Sequence, residues 1–317
     1  MLGRYKESSS AYWEALMGIA RGAVKLMMRE GKRERYRGRV LTAGRQELFA
    51  TSDNLEQWAQ EMGYVLVPGW KNHLHDKEET KKGKAHLTDE ALFLAFGFEE
   101  LESMDYSNYE GCTIVHDLNR DVPIQYHDRY DLIFDAGTSE HIFDLPKVLE
   151  NYNKMLKRGG RIVHLAPSSN HVDHGFYMFS PTLFSDYYSS NNWKIKDSLF
   201  VQYSPKHDKD LWNIYYYQPG CLDRYSFGGL KKGMYGIFFV ATKTSASSFD
   251  ADVQQGRYRR VWSKNDQSTE LGPQSILYLQ KIARRLPRRI REVIRPYYGW
   301  LLAKVPLTYH LKLVARY

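Results

Sequence analysis

Three histidines, His141, His171 and His174, each follow a short apolar run, and imidazole is the side chain whose ordinary pKa lets it take a proton near neutral pH. Asp105, Asp117 and Asp135 sit at the ends of such runs too. A carboxylate accepts from two donors at once, which suits a ribose diol. In an open α/β sheet, ligands bind outside the carboxyl ends of the strands, near the point where strand order reverses. The stretches to compare are therefore Gly44-Arg45-Gln46, Asp105-Tyr106, Asp117-Leu118-Asn119, Asp135-Ala136-Gly137-Thr138 and Ala166-Pro167-Ser168. Asp105 closes its run where a dinucleotide-type fold places the ribose-binding acid. Asp117 reads either as a residue on the adenine side or as the first residue of an Asp-Leu-Asn turn. Each histidine also has a plain reading as a hydrogen-bonded structural residue.

The elements that must position these groups follow from periodicity. Tyr12, Leu16, Ile19, Ala20, Val24 and Met27 recur at helical spacing after three serines, and predict an opening amphipathic helix. The charged stretch 29–39 leads into Val40-Leu41-Thr42-Ala43, a buried first strand ended by Gly44. Helices are expected over 53–62, with Thr51, Ser52 or Asp53 as cap, and over 88–96; the polar stretch 71–84 reads as an exposed insertion. Strands are expected at 99–104, 113–116 and 131–134. A helix over 146–156 should stop at Lys157-Arg158-Gly159-Gly160 with a basic last turn and a glycine C-cap. Another strand follows at 161–166, and 194–202 with 235–242 form a closing pair around a tyrosine-rich loop. Strands alternating with helices predict parallel βαβ units in a doubly wound sheet. This divides the chain into an N-terminal helical segment (1–38), a Rossmann-like domain (39–243), a polar linker (244–272) and a basic amphipathic extension (273–317).

The segment Tyr130-Asp131-Leu132-Ile133-Phe134-Asp135-Ala136-Gly137-Thr138-Ser139-Glu140-His141 resembles the fourth-strand motif of class I S-adenosylmethionine-dependent methyltransferases, in which the strand leads to a glutamate-histidine pair. Leu156-Lys157-Arg158-Gly159-Gly160-Arg161-Ile162-Val163 is similar to the family's passage into the fifth strand. The segment from Ala166 through His174-Gly175-Phe176-Tyr177-Met178-Phe179-Ser180-Pro181 looks like a bacterial subgroup of such domains. The resemblance covers about 40–190 and implies S-adenosylmethionine as cofactor, with Gly44, Arg45, Gln46, Asp105, Asp117, Asp135, Gly137 and Glu140 around it. One departure stands out: Thr42-Ala43-Gly44-Arg45-Gln46-Glu47 offers a single glycine where the family has a glycine-rich loop. Either Gly44 suffices, with Arg45 or Gln46 reaching the methionine carboxylate, or the fold has lost its cofactor.

If the cofactor binds, the implied chemistry is in-line displacement at a sulfonium methyl, with a base to take the acceptor's proton. His174 is the first candidate, in a loop over the substrate; His141 is second and His171 third. A metal set made of His171, Asp173, His174 and Asp135 is the alternative reading of this loop, and no metal is expected. Phe176, Tyr177 and Phe179 read as an apolar wall or as core.

The net charge of +8 is not evenly spread: 281–317 hold ten Lys or Arg and one acid, Glu292, so the rest of the chain is near neutral. That argues against a nucleic-acid-binding body. Leu279, Ile282, Leu286, Ile290 and Val293 line one face of a basic helix that Pro287 and Pro296 should divide. An anionic membrane surface is the first expected partner of this tail, ahead of a partner protein or second subunit and of RNA. No secretory pattern or apolar run of about 18 residues occurs, so a cytoplasmic protein with at most peripheral membrane contact is expected. Cys112 and Cys221 read as free thiols. The leading function is methyl transfer to a hydroxyl of a small molecule or glycan. The alternatives are a scaffold that has lost catalysis and a nucleic-acid methyltransferase.

Overall fold

The computed structural model describes residues 18–74, 87–203, 211–226, 228–231, 233–262, 285–294, 297, 307 and 311–317. Its centre is a nine-stranded sheet in the order β11-β9-β8-β10-β7-β6-β2-β4-β5. Those strands are β2 (Arg39–Ala43), β4 (Glu100–Asp105), β5 (Ile114–Val115), β6 (Tyr130–Ala136), β7 (Leu156–Ser169), β8 (Lys194–Tyr203), β9 (Asn213–Tyr216), β10 (Met234–Thr242) and β11 (Leu313–Arg316). β2 pairs in parallel with both β4 and β6, and the parallel set extends to β5 on one side and β7 on the other. β10 is antiparallel to β7 and β8. Chain order thus reverses at β2, which is where a doubly wound sheet opens a crevice. β1 (Gly18–Ile19) and β3 (Glu47–Leu48) form a separate parallel pair.

Alternate residues of the central strands face opposite layers. Val40, Leu132, Phe134, Val163 and Phe238 pack with α1 (Arg21–Arg33), α2 (Ser52–Met62) and α3 (Asp89–Phe96). Leu41, Ile133, Ile162, Ile237 and Phe239 pack with α4 (Leu145–Met155) and α5 (Pro181–Ser190). Both faces being covered explains why these strands read as unbroken apolar runs. Among the described residues no helix is long and apolar enough to cross a membrane. Both cysteines are buried and free.

Several elements depart from the sequence reading. The first described helix begins at Arg21 and takes in Arg29 and Arg33 as part of its last turns, where a charged lead-in was expected; the serines lie outside the described residues. Thr51 does cap α2, accepting from Asn54 N while Asn54 returns a bond to its backbone. α4 has no glycine cap. Its C-cap is Leu156 in an extended conformation, and 157–160 already belong to β7. Lys243 explains this, because its Nζ donates to Asn153 O (2.7 Å) and Leu156 O (2.6 Å), doing for the helix end what a glycine turn would do. Helix α5 was not anticipated, β9 lies in the stretch read as loop, and α6 (Gly256–Trp262) lies in the stretch read as linker. Leu313–Arg316 of the basic extension pair with β9 as the outermost strand. Residues 288–294 are helical, opening after Pro287, with Ile290 and Val293 exposed; Leu279 and Ile282 lie outside the described residues.

Helix α1 is fastened to the sheet by a buried ion pair. Arg161 of β7 donates from Nη1 to Glu30 Oε2 at 2.6 Å and to Glu34 O at 2.9 Å, with Tyr36 under its guanidinium at 4.7 Å. Removing one partner strands a charge in the core, so Arg161→Ala is expected to cost about 3–5 kcal/mol in denaturant unfolding. The double change Arg161→Met with Glu30→Leu should recover most of that loss, since apolar replacements of similar volume usually match a buried pair.

Candidate active site

The carboxyl ends of β2, β4, β5 and β6 surround a cavity of about 500 Å³, within the usual range for small-molecule sites. Gly44, Arg45, Gln46, Asp105, Asp117, Gly137 and His141 all line it. Two backbone turns make the room. Gly44 (φ +71) and Gly137 (φ +83) are left-handed, and a Cβ on Gly44 would lie 3.2 Å from Thr138 Oγ1 and 3.5 Å from Asp105 Oδ2. Gly44 N donates to Met104 O (2.8 Å) and Thr138 Oγ1 to Ala43 O (2.7 Å), so the first strand's turn is clamped from both neighbouring strands.

Arg45 reaches Asp89 at the start of α3 (3.0 Å). Gln46 donates from Nε2 to Ala43 O (3.0 Å), and its Oε1 is buried with no hydrogen-bond partner among the described residues. His116 Nε2 is in the same state on the opposite wall. A buried polar atom without a partner carries a cost unless a ligand meets it. His116, which closes the β5 run directly before Asp117, and Glu110 escaped the sequence reading, whereas Tyr106 and Thr138 stand in stretches it singles out. Asp117 Oδ1 accepts from both nitrogens of Asn119 (2.9 and 2.8 Å), which holds its carboxyl below the usual range and makes it a turn residue that also faces the cavity. Glu110 is pushed up by burial and by the nearby Asp105 and Glu47, so this rim is acidic.

Asp135 and Glu140 stand behind the wall rather than on it. Asp135 is 2% exposed and accepts from Ser139 Oγ (2.6 Å), Ser139 N (3.2 Å) and His164 Nδ1 (2.7 Å); a carboxylate only accepts, so the proton lies on His164. His164 Nε2 meets the Tyr188 hydroxyl at 2.6 Å, and burial raises that phenol's pKa well above its ordinary value. This network fixes the one-turn helix Ser139–His141, which presents Glu140 inward and His141 to the cavity.

The three histidines form a row. His141 and His174 meet edge to face at 4.9 Å, and His171 follows at 5.8 Å from His174. Burial, reinforced by His174, lowers the pKa of His141 and takes His171 down to about 4. His171 is buried and bonded to Tyr203 OH at 3.0 Å, away from the cavity wall. His174 Nε2 lies 3.7 Å from Glu140 Oε1. The loop that carries His174 is seated by Tyr177 N on Glu140 O (3.2 Å) and by Tyr177 OH on Phe143 O (2.6 Å). A Cβ on Gly175 would approach Glu140 O to 2.8 Å and His141 Nδ1 to 3.1 Å, so only glycine lets the loop sit this close. The aromatics divide: Phe179 is core and Phe176 is exposed. Asp135 and Asp173 do not join His171 and His174 in a ligand set; the group that does gather is Glu140, His141 and His174, with ligand atoms within 4.8 Å of one another.

No protein-family model and no curated protein matches the sequence. Among solved structures it is similar to the Burkholderia thailandensis 1,6-didemethyltoxoflavin-N1-methyltransferase with bound 1,6-didemethyltoxoflavin and S-adenosylhomocysteine, at 11% identity and a TM-score of 0.33 over 75% of this chain and 80% of that one. It is also similar to a SAM-dependent methyltransferase of Thermotoga maritima, at 11% identity and 0.34 over 71% and 90%. A third is the Haemonchus contortus phosphoethanolamine N-methyltransferase 2 in complex with S-adenosyl-L-methionine, at 11% and 0.35 over 70% and 52%. Likeness at this level carries no argument, and the strand order alone carries the fold assignment. The fold is a Rossmann-like, doubly wound α/β sheet with the antiparallel strand β10 beside β7.

The turn at Gly44 supplies a direct check on the cavity. Gly44→Ala should lower stability by about 1–2 kcal/mol, the cost of a left-handed non-glycine residue, seen as a lower midpoint in thermal unfolding. It should also weaken any ligand of the cavity, because the added methyl crowds Thr138 and takes up space beside Asp105.

Proposed function

We propose that this protein transfers a methyl group from S-adenosylmethionine to a hydroxyl of a small molecule or glycan. The observation that carries the reading is the cavity at the switch point, with its two left-handed glycines, its acidic rim and its two unpartnered buried polar atoms. The residues present fit the cofactor. Asp105 would accept from the ribose hydroxyls, and His116 and Asp117 would meet the adenine side. Arg45 would face the methionine carboxylate, and Gln46 Oε1 would accept from its ammonium. When bound, the cofactor supplies a methyl on a positively charged sulfur. The acidic rim of Asp105 and Glu110 favours that cationic donor over its neutral product. Arg45 is paired with Asp89 on the cavity wall, which weighs against a scaffold whose own side chains fill the site.

Activation of the acceptor falls to Glu140, His141 and His174 at the edge of the cavity. Burial lowers the pKa of His141, which favours the neutral form able to take a proton or a metal. The basic segment 281–317, with Ile290, Val293 and Ile294 exposed beside Arg288, Arg289 and Arg291, supports a further reading in which it rests on an anionic membrane surface from the cytoplasmic side.

Calorimetric titration with S-adenosylmethionine and S-adenosylhomocysteine tests the cofactor reading. Binding in the micromolar range is expected, weakened about tenfold or more in Asp105→Ala, consistent with loss of a charge-assisted hydrogen bond. Absence of heat with both ligands and a well-folded protein would move the assignment to a scaffold.

A further inference from the structure

We propose that Glu140, His141 and His174 bind a first-row divalent cation of the zinc class at the edge of the cavity. Each residue offers one ligand atom, and the three atoms lie within 4.8 Å of one another. Two imidazoles and a carboxylate are the donor set that holds zinc in hydrolytic sites with a coordination position left open, and that set disfavours magnesium and calcium, which prefer oxygen. Neighbouring ligands of a tetrahedral zinc stand about 3.4 Å apart. His174 Nε2 and Glu140 Oε1 are at 3.7 Å, too far for a hydrogen bond and close to that spacing.

A second, independent observation is the state of Glu140. Its side chain is 2% exposed, and its ion-pair contact is His174 Nε2 at 3.7 Å. A carboxylate so placed needs a proton or a cation in contact with it. The ligands are also pre-positioned, as a metal site requires. Ser139 is bound to Asp135 on one side of Glu140, and the Gly175 backbone presses on Glu140 and His141 from the other.

Because His141 lines the cavity, the open coordination position would face it. If the cofactor reading holds, the cation there acts as a Lewis acid on the acceptor. The acceptor's O–H proton leaves to water, its oxygen attacks the methyl carbon, and the C–S bond breaks to give neutral S-adenosylhomocysteine and the methyl ether. The cation site itself does not depend on that reading.

Tag-free protein stripped with a chelator and titrated with Co²⁺ provides the test, followed by visible d–d absorption and displaced with Zn²⁺. The expected result is a spectrum that saturates at one Co²⁺ per chain. The affinity should fall about tenfold or more in His174→Ala and in Glu140→Gln, and stay unchanged in His127→Ala, a histidine outside the cluster. Zn²⁺ should also raise the thermal midpoint of the wild type by mass action, and not that of His174→Ala. A folded wild type without a Co²⁺ spectrum overturns the proposal, as does an affinity that both cluster variants leave intact. Should Glu140→Gln fail to fold, His174→Ala, which alters a loop residue, decides alone. Metal binding without cofactor binding leaves this site standing and removes the methyl-transfer reading; cofactor binding without metal does the reverse.

Discussion

The geometry of the site depends on one buried carboxylate. Asp135 ends β6 inside the core, where an unpaired charge would be costly, and its oxygens are shared among Ser139 and His164. Each partner ties in another element: Ser139 opens the turn that carries Glu140 and His141, and His164 sits on β7 and reaches Tyr188 of α5. Tyr152 of α4 closes the set at 3.3 Å from Ser139 Oγ. Five elements are thus held in register by polar contacts with well-defined directions, which apolar packing alone does not impose. The turn that carries Glu140 and His141 inherits its position from this network.

Above that network the two walls of the cavity differ in kind. The β2 side is made by backbone, through the Gly44 turn and its bonds to Met104 and from Thr138. The β4 and β5 side is made by side chains, with Asp105, Glu110 and Asp117 gathered within one cleft. A wall of backbone is set by strand pairing, whereas a wall of carboxylates sets the sign of charge that the cleft favours.

Much of this was legible in the sequence for a physical reason. Strands covered on both faces appear as unbroken apolar runs, and residues 40–43 and 131–134 stand out that way, the second run extending in the structure to Tyr130–Ala136. The residues just beyond such runs lie at one edge of the sheet by topology, so Gly44, Asp105, Asp117, Gly137 and His141 converge as the pattern implied. What the pattern does not encode is side-chain direction. Asp135 and Glu140 occupy the same kind of position yet turn inward, because buried partners distant in sequence claim them. The glycine pair 159–160 looked like a helix stop, and the lysine that ends α4 comes from about ninety positions away. Strands β9 and β11 are short and paired at the sheet's margin, where neither period nor composition gives them away.

The pairing of β11 with β9 changes what the basic segment is able to do. At the far end of that segment Trp212 and Tyr317 exchange backbone bonds at the margin of the sheet. Trimming the final strand would therefore free this end from the sheet and bare the β9 edge at the same time.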